Sequence, residues 1–76
     1  MKSIMVDLQL FANIGNFVAT TNTINSDVFA ISGRYKINAK SIMGLYSLDL
    51  SKPVEIVFDE SVTDEEIKRF DAFIAK

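Results

Sequence analysis

Two residue types are missing from this chain, and their absence excludes more chemistry than any motif in it suggests. There is no cysteine, so a disulfide framework, a zinc knuckle, an iron–sulfur site and a thiol nucleophile are ruled out. There is no histidine, which removes the usual general base near neutral pH and the commonest metal ligand. Glycine is sparse: Gly15, Gly33 and Gly44 stand alone and build no P-loop and no GxGxxG turn, and no DxDxDG calcium loop is present either. A basic excess is lacking too. Eight Lys and Arg stand against 10 Asp and Glu, a formal net charge of −2, which disfavours broad nucleic-acid binding. Phe29, Tyr35 and Phe58 fall in strand-like segments, but no basic string surrounds them as an RNA-recognition sheet requires. The acids form no convincing catalytic pair, since Glu65 and Glu66 are adjacent and point differently around a helix. No enzyme activity, no cofactor and no metal are therefore expected.

The longest uncharged stretch, Leu8 to Ser26, has the length of a membrane span but not its composition. Gln9, Asn13, Asn16, Thr20, Thr21, Asn22, Thr23, Asn25 and Ser26 would all need partners in hydrocarbon. Asp7 also interrupts the apolar run too early for a signal peptide. The expectation is a cytoplasmic protein without a membrane contact.

What is present is a balanced, foldable composition: 76 residues, 49% hydrophobic and 24% charged. That is one small domain, 1–76, with no linker, repeat or low-complexity tract. A core of this size rarely supplies more than ~3–5 kcal/mol. The apolar faces must pack well, or the chain must associate.

Periodicity divides the chain into alternating elements. Lys2 to Leu8 reads as a strand, with Ile4, Val6 and Leu8 alternating against Ser3, Met5 and Asp7. Asn13 to Ile24 reads as a helix whose stripe is Ile14, Phe17, Val18, Thr21 and Ile24. Asp27 to Ser32 and Arg34 to Asn38 read as a hairpin turning around Ser32-Gly33. Ala39 to Leu48 reads as a short helix capped by Asn38 or Ser41. Its apolar residues Ile42, Met43, Leu45, Tyr46 and Leu48 cover more than one face, so some must be exposed. Val54 to Phe58 reads as a strand starting after Pro53. Thr63 to Ala75 reads as the clearest helix, opened by a Thr63–Glu66 capping box and carrying the stripe Ile67, Phe70, Phe73 and Ile74. The order β-α-β-β-α-β-α implies an α+β sandwich: one four-stranded antiparallel sheet with three helices on one face. Periodicity alone leaves the strand order open.

That order, and the segment Lys40-Ser41-Ile42-Met43-Gly44-Leu45-Tyr46-Ser47-Leu48 with Asn25-Ser26-Asp27-Val28 upstream, resembles the HPr/Crh family of the bacterial sugar phosphotransferase system. The specific residues cover about a quarter of the chain, the element order nearly all of it. The resemblance implies an open-faced β-sandwich, and it implies that Ser41 occupies the family's regulatory serine position at the start of the second helix. In the family, a histidine just before the first helix carries the phosphoryl group and an arginine follows. The positions this resemblance assigns to them hold Leu10 and Ala12, with Phe11 between. Neither can accept a phosphoryl group or clamp an anion, so the resemblance implies a regulatory protein and not a phosphocarrier.

Each site residue has a plainer reading beside the functional one. Ser41 is either a phosphorylation site, with Lys40 as a local positive charge, or a simple helix cap worth ~1 kcal/mol. Leu10, Phe11, Ile42, Met43 and Tyr46, with Lys40, either form a partner-binding surface or complete a small core. The implied partners are proteins: an HPr-type serine kinase, a transcriptional regulator or other regulatory protein, or a second copy in a homodimer. The alternative function is a scaffolding module that keeps the fold and has lost phosphoryl signalling. Between Arg34 and Lys52 four bases face one acid, and between Asp59 and Glu66 five acids face no base. This segregation either steers a partner or reflects a solvated surface with helix-terminal charges.

Overall fold

The computed structural model describes the backbone of residues 2–8 and 11–74 and the side chains of residues 2–8 and 14–74. Its elements are β1 (Lys2–Val6), α1 (Phe11–Thr21), β2 (Val28–Ser32), β3 (Tyr35–Asn38), α2 (Ile42–Tyr46), β4 (Val54–Phe58) and α3 (Asp64–Lys68), followed by a 3₁₀ turn, Asp71–Phe73. The four strands form one antiparallel sheet in the order β1-β4-β2-β3. The helices lie on one face, in an α+β open-faced sandwich. Strands adjacent in sequence pair only at the β2–β3 hairpin. The turn there is Gly33-Arg34, one residue later than the sequence suggests, because Ser32 pairs with Tyr35. Only Gly33 has positive φ (60°), which matches a II′ turn with glycine first.

Alternation sorts the strands into an inner and an outer face. Ile4, Ile56, Ala30 and Ile37 line up across the sheet on the helix side. Ser3, Val57, Phe29 and Asn38 form one row of the open side, and Met5, Glu55, Ile31 and Lys36 the next. The Lys36 ammonium lies 4.5 Å from the centre of the Phe29 ring, partly covering it.

The core between sheet and helices includes Val6, Leu8, Ile14, Phe17, Val28, Leu45, Ile56, Phe58, Phe70 and Phe73. Phe17 meets Phe70 and Phe73 edge-on, each at 5.5 Å between ring centres, and Phe58 meets Phe70 at 5.3 Å. Such geometry adds to simple burial. Thr21 is the buried polar side chain among the described residues. Its hydroxyl is 2.7 Å from the Val18 carbonyl and 3.4 Å from that of Ala39, so burying it leaves no unmet donor.

Several boundaries differ from the sequence reading. β1 stops at Val6, although Leu8 keeps its inward position. α1 spans Phe11–Thr21 rather than 13–24, and Ile24 reaches the core from beyond the helix end. α2 is five residues long, not ten. The largest correction is the last helix, which ends at Lys68 instead of continuing to residue 75. Its backbone tightens into shorter-range bonds, Phe70 N to Ile67 O at 3.0 Å and Phe73 N to Phe70 O at 2.9 Å. This seats Phe70 and Phe73 against Phe17. The chain then extends, so that Ile74 bridges Val6 and the Phe73 carbonyl accepts from Asp7 N at 2.8 Å. Ile74 is thus not part of a helical stripe. Covering the β1 edge satisfies backbone groups that a longer helix would have left open. The capping box itself is present: Thr63 Oγ1 accepts from Glu66 N at 3.2 Å, and Glu66 Oε1 accepts from Thr63 N at 3.1 Å.

Candidate functional site

The candidate site is built around α2, whose brevity follows from its punctuation. Ser41 is the N-cap: its backbone is extended and its Oγ accepts from Gly44 N at 3.2 Å. Asn38, the other cap suggested by the sequence, instead shapes the preceding turn, its Oδ1 accepting from Lys40 N at 2.9 Å. Ser47 closes the other end, its backbone N–H and its hydroxyl both donating to the Gly44 carbonyl. Serine at each end offers the backbone partners that compete with helix continuation. A helix of five residues aligns few peptide dipoles, so capping outweighs any macrodipole effect at Ser41.

α2 divides its side chains cleanly. Leu45 is fully buried and Leu48, just beyond the helix, nearly so. Met43 is 77% exposed, Tyr46 43% and Ile42 39%. The core alternative therefore fails for Met43 and holds only in part for Ile42 and Tyr46. Lys40 is half-buried, and its ammonium donates to the Ile24 carbonyl at 2.7 Å. It ties the α2 approach to the loop after α1 and keeps its charge next to Ser41 in the chain. α1 and α2 pack side by side. Leu10 lies outside the described residues, as do the side chains of Phe11 and Ala12.

One residue of the Lys40–Leu48 segment has no role of its own in the sequence reading. At Gly44 a Cβ would sit 3.1 Å from Ile37 Cδ1 and 3.4 Å from Ser41 Oγ. The missing side chain lets α2 press onto β3 and lets the Ser41 cap close. An isolated glycine in a helical pattern is the trace such a close approach leaves.

The acidic segment is largely committed to local work. Asp64 pairs with Lys2 at 3.4 Å, and Glu66 completes the capping box. Asp59 accepts from the Ser61 hydroxyl and backbone, which hold its carboxyl below the ordinary 3.8. Asp49 is held below the same value first by the Ser51 hydroxyl, then by the Ser51 backbone and more weakly by Lys52. Among the described residues no cluster of three potential metal ligands occurs, and no helix is long and apolar enough to cross a membrane.

Comparison with known proteins agrees with this fold. The family model for the PTS HPr component phosphorylation site matches residues 12–76. The HPr-like protein Crh of Bacillus subtilis (strain 168) is 44% identical over 50 residues, which are 66% of this chain and 59% of that protein. The crystal structure of HPr-C-His from Thermoanaerobacter tengcongensis superimposes with a TM-score of 0.79 at 27% identity, covering 97% of this chain and 91% of that one. The phosphocarrier protein HPr from Bacillus anthracis str. Ames does so with a TM-score of 0.70 at 27% identity, covering 97% and 94%.

Proposed function

The chain belongs to the PTS-HPr family, and from that premise we propose that it is a non-catalytic regulatory member of the sugar phosphotransferase and catabolite-control type. It carries no phosphate on histidine, takes a phosphoryl group at Ser41 and acts through protein contacts at the outer face of α2. The observation that carries this reading is the absence of any imidazole from the 76 residues. A family scaffold without that acceptor lacks the group on which a phosphoryl relay depends.

Two further features support it. Ser41 is exposed, so a kinase can reach its hydroxyl, and its cap bond is a single acceptance at 3.2 Å that a phosphate oxygen can replace. Beside it, Ile42, Met43 and Tyr46 offer an adaptable apolar surface of the kind partner proteins bury. A dianion added at Ser41 changes the charge at the margin of that surface without touching Leu45 or Leu48.

The decisive experiment is incubation with an HPr-type serine kinase and ATP, followed by mass measurement of wild type and Ser41→Ala. The expected result is one added phosphate in the wild type and none in the variant. A parallel incubation with phosphoenolpyruvate and the general sugar-uptake enzyme is expected to leave the protein unlabelled; uptake and onward donation of label would overturn the proposal. An unmodified wild type that is a dimer by light scattering would favour the scaffolding alternative, which the same apolar face supports.

A further inference from the structure

A second surface lies in a cleft of about 440 Å³ between the Gly33-Arg34 turn and the 47–52 loop, beginning at the C-terminal cap of α2. Its side chains form a sorted set of donors and acceptors. Arg34 and Lys52 supply the donors, both exposed, and Arg34 has no hydrogen bond or ion pair among the described residues. The acceptors are Ser47 and Asp49. The Ser47 proton is committed to the Gly44 carbonyl, so towards a ligand that hydroxyl can only accept. Asp49 uses Oδ1 to accept from both the Ser51 backbone and hydroxyl, which leaves Oδ2 for a ligand donor. Tyr35, 69% exposed, adds a ring face at the side of the cleft.

We propose that this cleft binds a small polyhydroxylated phosphate ester, with its phosphoryl group on Arg34 and Lys52, its hydroxyls on Asp49 and Ser47, and its carbon framework against Tyr35. A bare anion would use only the two cations and would meet repulsion from Asp49. A neutral polyol would leave the guanidinium unused. Only a molecule carrying both kinds of group uses the whole lining. The volume suits a single sugar-sized molecule. The site is independent of Ser41 and of any phosphoryl transfer.

The test is a titration of the full chain followed by amide NMR shifts, with glucose 6-phosphate, glucose and inorganic phosphate as separate probes. Glucose 6-phosphate is expected to shift residues 33–35 and 47–52 saturably and to bind at least ~10-fold more tightly than either other probe, since each of those forgoes at least one charge-assisted hydrogen bond. Arg34→Gln is expected to weaken glucose 6-phosphate and phosphate alike by ~10-fold. Asp49→Asn keeps an oxygen for Ser51, so the loop stays closed, and is expected to weaken glucose 6-phosphate but not phosphate. Unchanged shifts at all other amides will confirm that both variants are folded. Equal affinity for phosphate and glucose 6-phosphate, indifference to Asp49→Asn, or shifts outside the cleft would each overturn the proposal.

Discussion

The same chemical change, glycine to alanine, is expected to move stability in opposite directions at two positions, and the reason can be worked from backbone and space alone. At Gly33 nothing lies within 4 Å of an added Cβ, yet φ is +60°. The cost is therefore conformational: an L side chain in this region loses roughly 1–2 kcal/mol. At Gly15, inside α1, nothing lies within 4 Å either, and φ is helical. There the methyl group fills open solvent-side space and removes the entropy penalty of a helical glycine, about 0.5–1 kcal/mol in favour of alanine. The two variants should thus differ by roughly 1.5–3 kcal/mol in total, the sum of those two terms. For a domain of this size a shift of 1 kcal/mol moves the midpoint by about 4–8 °C. Thermal unfolding followed by circular dichroism reads this directly, with Gly15→Ala above the wild type and Gly33→Ala below it. If Gly33→Ala were neutral, the hairpin would not be held in the II′-like turn. If Gly15→Ala were destabilising, α1 would not be a regular helix at that point.

Four other measurements test separate parts of the structure. Phe17→Ala, which empties the centre of the aromatic cluster, should cost about 3–5 kcal/mol and leave little folded protein, whereas Met43→Ser at a 77% exposed position should stay within about 0.5 kcal/mol; urea midpoints for the pair check which side of the core boundary each lies on. Thr63→Ala removes the cap of α3 and should cost ~1 kcal/mol in the same assay. Asp49 and Asp59 both have folded-state pKa values depressed below 3.8, so their stabilising effect is present above that value and lost as pH falls through the depressed ones; acid titrations of Asp49→Asn with Asp59→Asn should show a shallower decline below about pH 4. Ser41→Asp should fold as well as wild type because Asp caps as effectively as Ser, while Ser41→Ala should lose ~1 kcal/mol; a large loss in both would mean that Ser41 is packed in a way its exposure denies.

The elements of this fold are readable in the sequence wherever one face is buried and the other wet. The alternation of Ile4 and Val6 with Ser3 and Met5, and the Ile14–Phe17–Thr21 spacing, survive into the structure because each records a single buried side. The end of the last helix is not readable in that way. Phe70 and Phe73 fit a helical stripe equally well whether the backbone between them is α-helical or 3₁₀, since residues three apart share a face in both. What decides is a long-range fact, the need of the β1 edge for the Phe73 carbonyl, and periodicity carries no such information. The candidate site divides similarly. The surplus of apolar residues in 42–48 signals that some must face out, and Ser41 as a cap follows from local chemistry. The tether of Lys40 to Ile24, the spatial need for Gly44 and the cleft by Arg34 depend on neighbours distant in the chain.

The division of labour within α2 explains how such a surface can change its chemistry without costing the fold. The contribution of this segment to stability comes from Leu45 and Leu48 in the core, from the close approach at Gly44 and from the backbone bonds of the Ser41 and Ser47 caps. Ile42, Met43 and Tyr46 project from the same turn and a half with a large part of each exposed, so substitutions among them exchange surface for surface and cost little. The cap position accepts Ser, Thr, Asp or Asn, so an anionic oxygen acceptor there is compatible with the helix start. On the function proposed above, a charge added at Ser41 would leave the fold as a fixed platform and would be felt by a partner docked against Met43 and Tyr46. A partner that buries that face must desolvate the new dianion or find it a cation. Lys40, already bound to Ile24, is the chain's own cation next to the serine, so a partner that reads the modified state must bring further positive charge of its own.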